Sequence, residues 1–226
     1  MKRLLFGVSS LLLLFVVACS DEEEAYDPYT NWKARNTAWF ASVADSARTA
    51  IAEAKAQYGD SWEQHCDWRM YKRLDQAQDY NTGRVDDSVC VKIAAPNTEP
   101  GNYSPKWNDS IRISFRGWMM PTVYQLYNDE NVLVDSLRQF VFTETYSGPF
   151  NLETAVPVLN AVSPFVVGFY TPLQYMVEGD DWFVYVPARL AYGENKRDMI
   201  PAHSTLVWRI HMTAVYPCNS GVPDWK

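Results

Sequence analysis

The sequence predicts an α+β fold: a largely antiparallel, twisted sheet with a short helix against one face, preceded by a long amphipathic helix. Three observations predict it. Apolar residues recur at helical spacing from Thr30 to Tyr58. Two later segments, Ile111–Phe115 and Leu206–Val215, alternate apolar and polar residues with the period of a half-buried strand. Between those two strands, Tyr170–Met176 is long enough for about two helical turns, with Pro172 near its start.

In chain order, the first 18 residues read as an export signal. Met1-Lys2-Arg3 is a basic start, Leu4–Val17 is an apolar run, and Ala18-Cys19 ends it. A membrane span takes roughly 20 apolar residues, so the run is a signal peptide rather than a transmembrane helix. Val16-Val17-Ala18-Cys19 resembles a bacterial lipobox, although the commonest form has Leu three residues before the cysteine. That resemblance implies that Cys19 is acylated, becomes the first mature residue and holds the protein to a membrane. Removal of residues 1–18 takes Lys2 and Arg3 with it and leaves 18 basic and 27 acidic residues, a net charge of −9. The run Ser20-Asp21-Glu22-Glu23-Glu24 is a solvated tether extending to residue 29. It also resembles the acidic surface-export tag of some Gram-negative lipoproteins. The expected location is therefore the outer membrane, surface-exposed or else facing the periplasm.

Residues 30–88 form an expected N-terminal helical region. Trp32, Trp39, Phe40, Val43, Ala47, Ala50, Ile51, Ala54 and Tyr58 share one helical face, with Thr30 or Asn31 as cap and Gly59 as stop. Such a stripe is usually core, so the helix is expected to dock on the rest of the protein; the alternative is a dimerisation arm or client cradle. Trp62–Gly83 has no clear period.

A domain is expected over residues 89–217, followed by a tail at 218–226. Val89–Ile93 is a short strand, and Ala95–Gly101 with its two prolines is a loop. The strand Ile111–Phe115 is ended by Gly117, and Trp182–Val186 is stopped by Pro187. Gly179-Asp180-Asp181 turns the chain into that latter strand. In the last strand Leu206, Trp208, Ile210, Met212 and Ala214 face inward and Arg209, His211 and Thr213 outward, so His211 needs no function.

Composition narrows the function. The chain is 47% hydrophobic and 21% charged, with a formal charge of −7 and pI near 5.0. No dense Lys/Arg stripe occurs, which removes the electrostatic footprint of a nucleic-acid binder. Aromatics make up 15%, fitting a compact core or an aromatic groove. There is no CxxC or HExxH spacing and the 3 His are scattered, so no metal site or cofactor is expected. Cys66, Cys90 and Cys218 allow one bridge at most, and the sequence does not choose the pair.

Four blocks then occur in order. Phe165-Val166-Val167-Gly168-Phe169 is followed by Leu173–Met176 and Glu178-Gly179, then Val186–Gly193 with Ala191-Tyr192-Gly193, then Ile200–Trp208. Together they resemble the proline-binding half of FKBP-type peptidyl-prolyl isomerases. The upstream half matches less closely. Phe115 stands at the family's tyrosine. Its Phe-Asp-Ser element falls either on Val134-Asp135-Ser136 or, preferred for its spacing to Pro149-Phe150, on Phe142-Thr143-Glu144. In the preferred register Trp118–Gln139 is an insertion, as is part of Asn151–Pro164, and both members of the family's Tyr–Asp pair are lost.

The resemblance implies a catalytic set of Phe115, Phe142, Val166, Phe169 and Tyr192, with Phe150, Val167, Ile200 and Trp208 as substrate contacts. Phe169 would be the pocket floor, and the Tyr192 hydroxyl and Val166 N–H would hold substrate carbonyls. The implied partners are proline-containing polypeptides, and the implied activity is rotation of Xaa-Pro bonds to assist folding of exported proteins. A module that binds peptides or partner proteins without catalysis is the alternative. The loop Glu194–Met199 is short and charged where many members carry a longer flap, which argues against macrolide-type ligands. The oligomeric state is not legible.

Overall fold

The computed structural model describes residues 26–74 and 83–224 of the chain. The expected signal peptide, Cys19 and the acidic run lie outside the described residues.

Helix α1, Trp32–Tyr58, occupies the predicted stretch, and Gly59 ends it at φ 55. The start differs from expectation: Asn31 sits at φ 54 with no side-chain cap, and Thr30 bonds the Asp27 carbonyl instead. The buried face runs Trp32, Asn36, Phe40, Ala44, Ala47 and Ala54, and it docks on the domain. Trp32 Nε1 donates to Ser204 Oγ at 2.9 Å, and Asn36 Oδ1 accepts the Thr205 N–H at 2.7 Å. Phe40, Ala44 and Ala47 pack on Cys90.

A short 3-10 helix, Gly59–Gln64, leads into β1, Trp68–Lys72, an edge strand that lies where the sequence shows no period. Then come β2 (Ser88–Ala95), β3 (Ser110–Met119), β4 (Thr122–Tyr127), β5 (Leu133–Arg138), β6 (Val141–Glu144) and β7 (Val158–Ala161). Helix α2 (Val167–Leu173), β8 (Asp181–Val186) and β9 (Leu206–Tyr216) complete the chain. The main sheet is antiparallel in the order β1-β2-β8-β9-β3-β6, and β7 also pairs with β3 beside β6. β4 and β5 form a separate hairpin within the predicted insertion.

Three corrections concern the site. Gly117 does not end its strand, because β3 continues to Met119 against β9. Helix α2 begins at Val167, three residues before the predicted start, which leaves Pro172 near its end. His211 does lie opposite Trp208 across the sheet, but that face is covered there. The Phe150 ring sits 5.1 Å from the imidazole, and His211 is buried.

The two helices lie on opposite faces of the sheet. α2 buries Phe169, Tyr170 and Leu173 with Val89, Val91, Val184, Ile210 and Met212, whereas α1 covers the face that carries Cys90 and Tyr185. Close approach of α2 requires Gly168: a Cβ there would stand 2.1 Å from Val186 Cγ1 and 3.0 Å from the Leu190 carbonyl oxygen. Cys66, Cys90 and Cys218 are all free thiols.

Candidate active site

An aromatic cluster forms where α2 meets β3, β6 and β9. Phe169, 1% exposed, projects from α2 beneath the other rings. Its ring centroid lies 4.6 Å from Trp208, 6.1 Å from Phe115 and 4.4 Å from Phe165. Phe142 stands edge-on to Trp208 at 5.0 Å, and Phe115 does so at 5.7 Å. Most of these contacts are T-shaped, the arrangement that sets a positive ring edge against a negative ring face.

The backbone beneath the cluster is specialised. A Cβ on Gly117 would lie 2.7 Å from Trp208 Cε3 and Cζ3 and 2.9 Å from Phe142 Cζ. Glycine therefore lets both rings lie across β3. Between the segments of β3 that pair with β6 and β7, Thr145 satisfies Phe115. Its Oγ1 accepts the Phe115 N–H at 2.9 Å, and its N–H donates to the Phe115 carbonyl at 2.8 Å.

The opposite side is built by the segment after β8. The Gly193 N–H closes on the Ala188 carbonyl at 2.8 Å with Gly193 at φ 61, and the His203 N–H bonds the Gly193 carbonyl at 2.7 Å. This places Tyr192 half-buried against the core. Arg197 and Ile200 exchange two backbone bonds, 2.9 and 2.8 Å, which tighten the loop and turn Ile200 inward to 5% exposure. Val166 and Val167, at the entry to α2, are partly buried against the same core. Among the described residues neither the Tyr192 hydroxyl nor the Val166 N–H has a hydrogen-bond partner; the Val166 carbonyl takes the Phe169 and Tyr170 N–H groups at 2.8 and 3.1 Å.

A sequence profile describing FKBP-type peptidyl-prolyl cis-trans isomerases matches residues 101–213, half of the 226. The chain belongs to this family. Among solved structures, a peptidyl-prolyl cis-trans isomerase from Pseudomonas syringae is similar at 19% identity, with 77% of this chain and 94% of that one covered and a TM-score of 0.38. FkpA from Escherichia coli is similar at 16% identity over 83% of this chain and 70% of that one, with a TM-score of 0.42. The N-terminal domain of FKBP42 from Arabidopsis thaliana is 15% identical over 63% and 98%, with a TM-score of 0.41. No curated protein sequence matches the chain.

Of the residues singled out for this FKBP in sequence, Phe115, Phe142, Phe169 and Trp208 share one cluster, and Val166, Val167, Tyr192 and Ile200 pack on the core around it. Phe150 does not join them. It lies on the other face of the sheet, against His211 and under the Arg209 guanidinium at 5.1 Å. Alternation explains the separation, since Arg209 and His211 point opposite to Trp208 along β9.

Asp135 also lies away from the cluster, on the exposed hairpin, where it accepts from Gln125 Nε2 at 3.4 Å. Thr143 pairs with Gly117 and so stands beside the aromatic wall, where it brings no carboxylate. Phe165, Gly117 and Thr145 are the contributors that sequence reasoning misses. The four-residue spacing of Phe165 and Phe169 is the available signal for the first.

Polar groups nearby underline how apolar this wall is. Trp208 Nε1 is buried without a partner among the described residues. The ion pairs of the strands that carry Trp208 and Phe115 are on the other face: Asp181 holds Arg209 through two bonds of 3.0 and 2.7 Å, and Arg116 meets Glu144 at 3.0 Å. Among the described residues no three His, Cys, Asp or Glu side chains come together to hold a metal.

Proposed function

We propose that this FKBP is a lipid-anchored peptidyl-prolyl isomerase that assists the folding of exported proteins, with Cys19 as the acylated residue and the Phe115–Phe142–Phe169–Trp208 cluster as the proline site. The observation that carries the site is the pairing of an aromatic floor and wall with two polar groups that have no partner among the described residues, the Tyr192 hydroxyl and the Val166 N–H. The barrier to rotation about a peptide bond is roughly 18–20 kcal/mol and arises from amide resonance. As the Xaa-Pro bond twists, the amide loses its charge-separated character. An apolar surface therefore favours the twisted form over the planar one.

In this reading the prolyl ring lies against the half-buried Phe115 and Phe142, with the buried Phe169 as the floor beneath them and Ile200 and Val167 at the sides. The Tyr192 hydroxyl and Val166 N–H hold flanking carbonyls and fix the chain so that only the prolyl bond turns. No nucleophile, general base or metal takes part. The lipobox-like Val16–Cys19 and the acidic run at 21–24 support an outer-membrane location, exposed at the surface or facing the periplasm.

A second reading, peptide binding without catalysis, is supported by the resemblance in its preferred register, in which Phe115 and Thr143 replace the family's tyrosine and acid and Thr143, paired with Gly117 beside the cluster, brings no carboxylate. Isomerisation of an Xaa-Pro peptide by the parent protein, Phe169→Ala and Tyr192→Phe separates the two. Catalysis that falls in both variants supports the first reading. Background rates in the parent together with peptide binding support the second, and a normal rate that neither change alters rejects the site.

A further inference from the structure

Among the described residues the β4–β5 hairpin makes no strand pairing with the main sheet. Its register puts Val123 opposite Leu137, Gln125 opposite Asp135, and Tyr127 opposite Leu133 on one face. That face is open: Tyr127 and Leu137 are each 70% exposed, Leu133 is 49% exposed, and Val132 beside the turn is 51% exposed. Isolated hairpins are marginal in water, and the exposed apolar groups on either side of the Gln125–Asp135 pair mark a surface that something covers.

The place where the chain enters says what covers it. The segment before α1 is fastened to this hairpin, through the Val123 backbone and through Thr122 and Tyr124 on the face opposite the open one, so the chain ahead of Tyr26 starts at the hairpin itself. The Tyr26 hydroxyl donates to the Val123 carbonyl at 2.7 Å, and the Tyr29 and Tyr124 hydroxyls meet at 3.2 Å. Thr122 Oγ1 bonds the Pro28 carbonyl at 3.2 Å and also receives the Arg35 guanidinium. Cys19 lies seven residues before Tyr26, so even a fully extended chain keeps it within about 25 Å of β4. The hairpin, six residues per strand, is itself about 20 Å long. A bilayer that holds an acyl chain on Cys19 is therefore within reach of the hairpin.

We propose, resting on the lipid-anchor reading above, that the Val123–Tyr127–Leu133–Leu137 face of the hairpin lies on the membrane surface that the anchor enters. Tyrosine suits the headgroup level, where its ring meets acyl chains and its hydroxyl meets water. Leu133, Leu137 and Val132 supply the aliphatic contact. Asp135 on the face itself, with Asp129 and Glu130 at the turn and the acidic run at 21–24, repels anionic headgroups, so the surface is a zwitterionic one. Seating the hairpin also sets how the site faces the bilayer, because β3, which carries Gly117, runs into it and β6, which carries Phe142, leaves it.

The test uses the chain as cells process it, placed with phosphatidylcholine vesicles, with Cys66→Ser and Cys218→Ser and a nitroxide on Leu133→Cys or, as a reference, on Glu53→Cys. The Leu133 label is expected to be at least about threefold less accessible than the Glu53 label to a water-soluble nickel complex, and more accessible to oxygen. Phosphatidylglycerol in the vesicles is expected to weaken that protection. Equal water access at both positions in protein that floats with the vesicles overturns the membrane contact and leaves the anchor standing. An unacylated Cys19 by mass, with no flotation, overturns both. Protection that appears without lipid and rises with protein concentration overturns it in favour of a second copy of the chain.

Discussion

Gly117→Ala is the sharpest single test of how the aromatic wall is built. The added methyl would stand 2.7 Å from two carbons of the Trp208 indole and 2.9 Å from Phe142 Cζ, while ordinary contact begins near 3.4 Å. The indole edge must therefore retreat by about 0.7 Å. It has little room, because Trp208 is 8% exposed and already touches Phe115, Phe142 and Phe169. Overpacking of this kind costs about 2 kcal/mol, a melting temperature lower by roughly 4–8 °C for a chain of this size. A displacement approaching 1 Å at a positioned site costs on the order of 10- to 100-fold in rate. The assay is kcat/KM for Xaa-Pro isomerisation beside a thermal melt, with Gly221→Ala as the control because nothing lies within 4 Å of its Cβ position. If Gly117→Ala keeps both the melting temperature and kcat/KM within error of the parent, the reasoning about the wall is wrong.

Packing and burial elsewhere in the domain set three more expected outcomes. Gly168→Ala should destabilise by about 2–3 kcal/mol in chemical denaturation, and Val186→Ala should restore part of this, because Val186 Cγ1 is the nearest obstacle while the Leu190 carbonyl remains. Burial holds the His211 imidazole below its ordinary pKa of 6.5, opposed in part by the Asp181 charge. The unfolded chain then binds the extra proton first, so this contribution is intact above pH about 6.5 and is lost as the pH falls; melts from pH 7.5 to 5 should show it, and His211→Gln should flatten the slope. Burial pushes the Cys90 thiol up to about 12, and Cys218 is exposed, so a maleimide should label Cys218 in native protein and Cys90 only after denaturation.

Strong periodicity makes three elements legible in the amino-acid sequence alone: α1 almost to the residue, β8, and β9 with its inward row from Leu206 to Met212. β1 is not legible, because Trp68–Lys72 is an edge strand whose residues are mostly half-exposed and show no clean alternation. The start of α2 is hidden because Val166–Gly168 reads as extended, and tertiary packing through Gly168 overrides that preference. Phe169, Tyr192 and Ile200 can be found because their neighbours form contiguous motifs. Phe150 falls on the unexpected side because sequence distance from Phe142 does not reveal which face of the sheet a loop will cover. Gly117 resembles a strand terminus, and its role depends on a contact with Trp208, ninety-one positions away in the chain.

The central claim is that one aromatic cluster, flanked by the Tyr192 hydroxyl and the Val166 N–H, both holds proline peptides and turns their prolyl bonds. Nuclear magnetic resonance on an Xaa-Pro peptide with substoichiometric protein measures both properties at once. The account predicts exchange cross-peaks between the cis and trans forms of the peptide. It also predicts amide shifts in the protein concentrated at Val166, Phe169 and Tyr192. Absence of exchange at saturating peptide, or shifts confined to the other face around Phe150 and His211, would contradict it.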